Sequence, residues 1–79
     1  MTPIFNEEAE RAVLGALLLD ADAVADVRHF LDVDSFYKEA HRHIYAACLA
    51  VVDAGEDLDV VTLYEGLRQA GKLDAVGPD

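Results

Sequence analysis

Apolar residues recur every three to four positions along most of the 79-residue chain, which is the spacing of amphipathic helices. The first such run predicts a helix over residues 7–19, with Asn6 as its N-cap and acidic residues in its first turn. Glu7 and Arg11 are spaced for an ion pair on the polar side of this helix. A helical wheel gives it one apolar face, formed by Ala9, Val13, Ala16 and Leu17 with Ala12 and Leu19 beside it.

A second apolar patch lies on the other side of the same helix, where Leu14 and Leu18 flank Gly15. A helix that is apolar on two sides is usually central in its bundle or shared with a neighbouring subunit. Leu14, Gly15 and Leu18 are therefore the candidate subunit or partner interface. Burial of the same residues in the domain's own core is the alternative.

Three further helices are predicted after the first one. The second runs over 23–31 behind a cap at Asp20 or Asp22, with Val24, Val27, Phe30 and Leu31 facing inward. After 32-DVDS, where Asp34 and Ser35 are turn or cap residues, the third runs over 37–54 and ends at Gly55. These segments predict an all-α domain.

The last predicted helix begins at a cap on Asp59 or Thr62 and runs to about Gly71. The tail 72-KLDAVGPD has the pattern of a further element that is cut short. About four helices joined by short loops predict one small helical bundle-like domain over residues 1–79.

The charge of the chain is strongly acidic. Sixteen Asp and Glu against six Lys and Arg give a net charge of −10, which repels phosphate backbones and predicts no direct binding of nucleic acid. A solvated surface or a basic protein partner fits this charge. The apolar run 12-AVLGALLL is too short to span a membrane, and the lone Cys48 fits a reducing compartment, so we expect a cytoplasmic protein.

Two histidines in the third helix raise the question of a catalytic or metal site. His41 and His43 point about 200° apart on a helix, so they cannot hold one metal ion together. Glu39 and His43 have the spacing of an exposed ion pair. His41 lies on the apolar face, so we predict a buried imidazole bonded to a carboxylate or a backbone carbonyl. That face consists of Tyr37, Ala40, His41, Ile44, Tyr45, Cys48, Val51 and Val52.

Two other chemical motifs are also interpreted as structural. An apolar setting raises the pKa of a thiol, so Cys48 is expected to act as a small buried hydrophobe. The stretch 66-GLRQAGKL matches the spacing of a phosphate-binding loop, but Leu73 replaces the Ser or Thr that would hold Mg²⁺. We therefore predict no catalytic residues, no cofactor-binding residues and no metal ligands in this chain.

Three stretches occur in a characteristic order: 6-NEEAERAVLGALLLD, 36-FYKEAHRHIY and 55-GEDLDVVTL. They resemble the N-terminal domain of the DnaB-type replicative DNA helicases of bacteria. Together they cover most of the chain in the family's order and spacing. The residues that match the family signature are Asn6, Glu10, Gly15, Phe36, Tyr37, His41, Arg42, Ile44, Asp59 and Thr62.

The resemblance implies a non-enzymatic collar domain of a hexameric, ATP-dependent helicase. It implies other helicase subunits, the primase and loader proteins as partners, with subunit assembly and docking as the function. The ATPase domain, with its ATP and Mg²⁺, and the helical hairpin that usually completes the collar are expected beyond residue 79.

Two rival functions remain open at this stage. A stand-alone acidic adaptor or DNA mimic would use the carboxylates to imitate phosphates. A small hydrolase would use Glu39, His41 and His43, although the helix geometry argues against it.

Overall fold

The structure is a computed structural model that describes residues 6–76, and its five α-helices and one 3-10 turn confirm the predicted all-α class. Residues 77–79 of the tail, part of the predicted cut-short element, lie outside this range. In chain order the elements are α1 Glu7–Leu19, α2 Ala23–Val27, the 3-10 turn Val33–Ser35, α3 Glu39–Asp53, α4 Val60–Gln69 and α5 Leu73–Val76.

Helix α1 has the predicted limits but not the predicted buried face. The side chain of Asn6 accepts a hydrogen bond from the N–H of Ala9 and caps the helix as expected. The buried residues are Glu10, Leu14 and Leu17, whereas Leu19 is 91% exposed. The observed buried face is therefore rotated around the helix axis from the predicted face. The rotation is about 100°, which is nearly the angle between successive residues. Leu17 is buried as predicted and Val13 packs against the core, but the predicted face omitted the buried Glu10 and included the exposed Ala9, Ala12, Ala16 and Leu19.

Helix α2 is shorter than predicted. It ends at Val27, and the next residues form turns closed by i→i+3 bonds, including Phe30 N–H to Val27 O at 3.1 Å. This turn leaves Phe30 54% exposed, so its predicted inward position is wrong, while Val24 and Leu31 are buried as expected. Asp22 occupies the N-cap position without a side-chain cap bond.

Helix α3 begins two residues later than predicted. Phe36 and Lys38 have extended backbones, with ψ near 135° and 129°, and the helix starts at Glu39. Tyr37 therefore leaves the packed face and is 65% exposed, which corrects its predicted inward position. At the other end Gly55 adopts φ +77°, as predicted for the residue that terminates this helix.

Residues with capping preferences determine where helix α4 begins and ends. The carboxylate of Asp59 accepts from the N–H of Thr62 at 2.8 Å, and the Thr62 hydroxyl accepts from the N–H of Asp59 at 2.9 Å. This reciprocal pair is a capping box that uses both predicted cap residues. Gly71 has φ +72° beyond the last turn, so 66-GLRQAGKL is a helix end in this structure.

The core lies around α3, which packs against α1, α4, α5 and the 3-10 turn. Tyr45 is fully buried, its ring centroid lies 4.9 Å from that of Phe36, and its hydroxyl donates to Leu31 O at 2.7 Å. The remaining buried apolar residues are Leu14, Leu17, Val24, Leu31, Ala47, Cys48, Val51, Leu58, Leu63 and Leu67. Within residues 6–76, no helix is long and apolar enough to cross a membrane.

Candidate functional site: the Glu10 junction and the exposed faces

Glu10 is a carboxylate with no exposed surface at the point where α1 meets the start of α3. Its two oxygens accept hydrogen bonds from three donors: the N–H of Tyr37, the N–H of Lys38 at 3.3 Å and Nδ1 of His41 at 2.6 Å. Two of these donors are backbone N–H groups just before the first turn of α3, where an N–H group has no acceptor within the helix. Glu10 therefore supplies the acceptor that they lack. We call Glu10 and its three donors the Glu10 junction.

The carboxylate of Glu10 is held in its ionised form. Burial alone would raise the pKa of Glu10, but the hydrogen bond from His41 and those from the backbone of Tyr37 and Lys38 outweigh it. The pKa of this carboxyl therefore lies below its ordinary value of 4.5. Because an ionised carboxylate can only accept hydrogen bonds, Nδ1 of His41 carries the proton in this pair.

His41 has the predicted environment, with 4% of its surface exposed and a carboxylate partner. The neighbouring Arg42 donates through one guanidinium nitrogen to Phe36 O and Tyr37 O, both at 2.9 Å. These bonds satisfy carbonyls of the extended segment before α3. Glu10 thus binds N–H groups of this segment, and Arg42 binds its carbonyl groups.

Around the junction, an exposed ion pair also links α1 to the start of α3. Lys38 Nζ lies 2.9 Å from Glu7 Oε1, so the close partner of Glu7 is Lys38 and not the predicted Arg11, whose charge also acts on Glu7. A hydrogen bond from Lys38 lowers the pKa of Glu7. The sequence spacing favoured the local partner, but the fold brings the more distant lysine to the same carboxylate.

The three residues of the hydrolase alternative have separate partners, since His41 pairs with Glu10 while His43 pairs with Glu39. Cys48, the single thiol, is fully buried on another part of α3, and burial raises its pKa to about 11. His43 faces away from His41, and its Nε2 lies 3.4 Å from the exposed Glu39 carboxylate. In the part of the chain that the structure describes, no three His, Cys, Asp or Glu side chains are grouped to hold a metal ion.

The residues of the candidate interface on α1 have different positions. Leu14 is 5% exposed and belongs to the core, so of the two alternatives for the second apolar patch, core burial holds for this residue. Leu18 is half-buried against the core. Gly15 is also half-buried, and a Cβ placed there would meet no atom within 4 Å. Of these three residues, only Gly15 and Leu18 have surface available for a neighbouring subunit.

Nine of the ten signature residues, all except Gly15, take part in hydrogen bonds, helix caps or the core. Glu10, Phe36, Tyr37, His41 and Arg42 meet at the start of α3, although they come from separate stretches of the sequence. Asn6, Asp59 and Thr62 cap helices, and Ile44 packs against the core.

Sequence reasoning missed the burial of Glu10. The signal that was present is the histidine on the apolar face of α3, since a buried imidazole requires a polar partner from another element. Nothing in the spacing identified which of sixteen acidic residues would be that partner.

Comparison with known proteins finds similar sequences and a similar structure. A family model described as the DnaB-like helicase N terminal domain matches residues 2–79. The replicative DNA helicase DnaB of Treponema pallidum is 45% identical over 75 residues, covering 95% of this chain and 17% of that protein. The corresponding protein of Geobacillus stearothermophilus is 38% identical over 84 residues, covering 98% of this chain and 18% of that protein.

A solved structure has the same fold. The crystal structure of the N-terminal domain of DnaB helicase from Mycobacterium tuberculosis superimposes with a TM-score of 0.87 at 39% identity. The match covers 96% of this chain and 53% of that one. The chain therefore spans about one sixth of the curated helicases and about half of the solved domain.

Proposed function

The chain belongs to the DnaB-like helicase N terminal domain family, and we propose that it acts as a collar domain of a hexameric replicative helicase in the cytoplasm. In this role it assembles with other helicase subunits and docks the primase or a loader protein. The collar is not itself an enzyme, and ATP with Mg²⁺ belongs to a separate motor domain.

The family match over residues 2–79 carries this proposal, since it includes nearly the whole chain. The match favours a collar over a stand-alone acidic adaptor or DNA mimic. The geometry supports a scaffold as well, because His41 and Glu10 satisfy each other within the core. The net charge of −10 favours contact with proteins over contact with DNA.

A deletion in the full-length helicase tests the docking role. We expect the protein without residues 1–79 to lose co-elution with the primase of the same bacterium while it still hydrolyses ATP. Full-length protein with His43→Ala is the matched control, because His43 is outside the Glu10 junction. Undiminished co-elution of primase with the deleted protein would refute the docking role.

Assembly is tested by solution mass. Analytical ultracentrifugation of the 79-residue chain beside a version extended through the next two helices compares their association directly. We expect the extended chain to associate more strongly, since the family resemblance assigns subunit pairing to the following hairpin. Equal masses at equal concentration would contradict this part of the proposal.

A further inference from the structure

One face of α4 exposes three neighbouring apolar side chains. Val60 is 68% exposed, Val61 is 75% exposed and Tyr64 is 55% exposed. Residues three and four apart are neighbours on a helix surface, so Tyr64 adjoins both valines. We call these three residues the α4 face. The core contacts of the helix come from Leu63 and Leu67 on another side.

The side chains of the α4 face are mostly exposed, so they contribute little to packing the helix against the core. Valine has a lower helix propensity than alanine because its β-branched side chain loses rotamer freedom in a helix. An exposed valine makes few packing contacts that could offset this free-energy cost. Single exposed apolar residues are common on proteins, but adjacent ones in one helix form a continuous patch, which is typical of a contact surface.

An acidic groove borders this face. Its wall includes Val61 and the carboxylate residues Glu56, Asp57, Asp59 and Glu65. Asp59 is engaged in the cap of α4, and the guanidinium of Arg68 binds Glu65. Glu56 and Asp57 are exposed just before the N-cap of α4, and they lie beside the α4 face.

We propose that the α4 face and its acidic groove dock an amphipathic helix of a partner protein, with apolar residues one turn apart and Lys or Arg beside them. This surface deepens the proposed docking function and rests on it. A second copy of the chain would bring another net charge of −10 to the groove, which disfavours self-pairing there. The basic flanks of the partner helix match the carboxylates, and its apolar residues cover the valines and Tyr64.

Two designed helical peptides probe the surface. One carries leucines one turn apart with flanking lysines, and the other has the same leucines with flanking glutamates. In NMR titrations of the ¹⁵N-labelled 79-residue chain, we expect the lysine peptide to shift the amide signals of Val60, Val61 and Tyr64. The glutamate peptide is expected to leave them unchanged, and added salt is expected to weaken the lysine peptide's binding.

Substitutions on the α4 face have a matched control elsewhere. The double variant Val61→Ser/Tyr64→Ser is expected to weaken binding of the lysine peptide by about tenfold or more, because it removes the apolar contact. Leu19→Ser/Phe30→Ser removes two exposed apolar side chains from α1 and the turn after α2 and is expected to leave the affinity unchanged. Equal loss in both variants would overturn the proposal.

The charge requirement is tested separately. Glu56→Gln/Asp57→Asn removes two negative charges from the groove, whereas Asp26→Asn/Asp34→Asn removes two from exposed positions outside α4. We expect the first pair alone to weaken binding and to reduce its salt dependence. Equal effects of the two pairs, or no shift of the α4 face at about 1 mM lysine peptide, would overturn the proposal.

A co-elution experiment with the full-length helicase distinguishes failure of the α4 face from failure of the proposed docking function. The full-length helicase with Val61→Ser/Tyr64→Ser is expected to lose primase or loader co-elution while remaining hexameric. If it retains these partners but the protein lacking residues 1–79 does not, the docking role stands and the α4 face is wrong. If both proteins retain the partners, the proposed docking function fails as well.

Discussion

Replacing Glu10 by alanine is expected to be among the most damaging single substitutions in this domain. The change removes the acceptor for the N–H groups of Tyr37 and Lys38 and for Nδ1 of His41. His41 is 4% exposed, so water cannot readily replace the lost partner without opening the core. The perturbation leaves polar groups unsatisfied where α1 meets α3.

The expected magnitude is large for a chain of this size. Leaving a buried donor without its acceptor typically costs about 1–3 kcal/mol, and Glu10→Ala leaves three donors without theirs. Small domains have unfolding free energies of roughly 0.05–0.15 kcal/mol per residue, or about 4–12 kcal/mol for 79 residues. Glu10→Ala is therefore expected to remove a large share of the stability, and each kcal/mol lost lowers Tm by about 4–8 °C.

Urea unfolding followed by circular dichroism measures this effect. The series compares wild type, Glu10→Ala, His41→Ala and the double variant, so that a double-mutant cycle isolates the coupling between the two side chains. His41→Ala alone is expected to cost about 1–3 kcal/mol, since it leaves the carboxylate with its backbone donors. His43→Ala is the matched control, expected to change stability by less than about 0.5 kcal/mol.

The same junction predicts a pH dependence with a definite sign. The pKa of Glu10 is lowered on folding, so its contribution is complete above the ordinary value of 4.5 and is lost as pH falls through the lowered pKa. Glu10→Gln should flatten the acid limb of the stability curve. Some slope will remain, because hydrogen bonds from cationic partners also lower the pKa values of Glu7, Asp53 and Glu65.

Two results would refute this reasoning. Glu10→Ala with a urea midpoint equal to that of wild type would mean that the carboxylate does not support the start of α3. A coupling energy near zero in the cycle with His41→Ala would mean that the 2.6 Å contact contributes no net stability.

The remaining predictions concern reactivity, nucleotide binding and association. Cys48 should resist iodoacetamide at pH 8 until the chain is unfolded, because it is buried with a pKa of about 11, and rapid labelling of folded protein would contradict this. The chain should show no saturable, Mg²⁺-dependent ATP binding by calorimetry, and binding that Lys72→Ala abolishes would be the opposite result. Weak self-association in sedimentation should decrease in Leu18→Glu without loss of helical circular dichroism; unfolding of that variant would assign Leu18 to the core.

The local elements of the fold were largely predictable from the sequence. Asn6, Asp59 and Gly55 mark helix ends through side-chain or backbone preferences that act within a few residues, and each has its predicted position. These signals depend on short-range hydrogen bonds and on φ, so they are less sensitive to the rest of the fold than a buried face is.

The errors arise where a distant residue decides the outcome. The wheel for α1 sorted residues by polarity alone, but Glu10 is buried because donors from the start of α3 satisfy its charge. The late start of α3 has the same cause, since the N–H groups of Tyr37 and Lys38 bind that carboxylate from an extended segment. One unrecognised long-range contact therefore explains both mistakes.

The scarcity of basic residues affects what a partner of this domain encounters. Four of the six, Arg28, Lys38, Arg42 and Arg68, are engaged with carboxylates or carbonyls of the chain itself. Internal pairing leaves many exposed carboxylates without a cation, so the outward field is anionic. Such a field speeds the encounter with a basic protein surface, and the association rate should fall as ionic strength rises. A second copy of this chain carries the same net charge of −10, so the field opposes contact between two acidic surfaces and favours contact with a basic one.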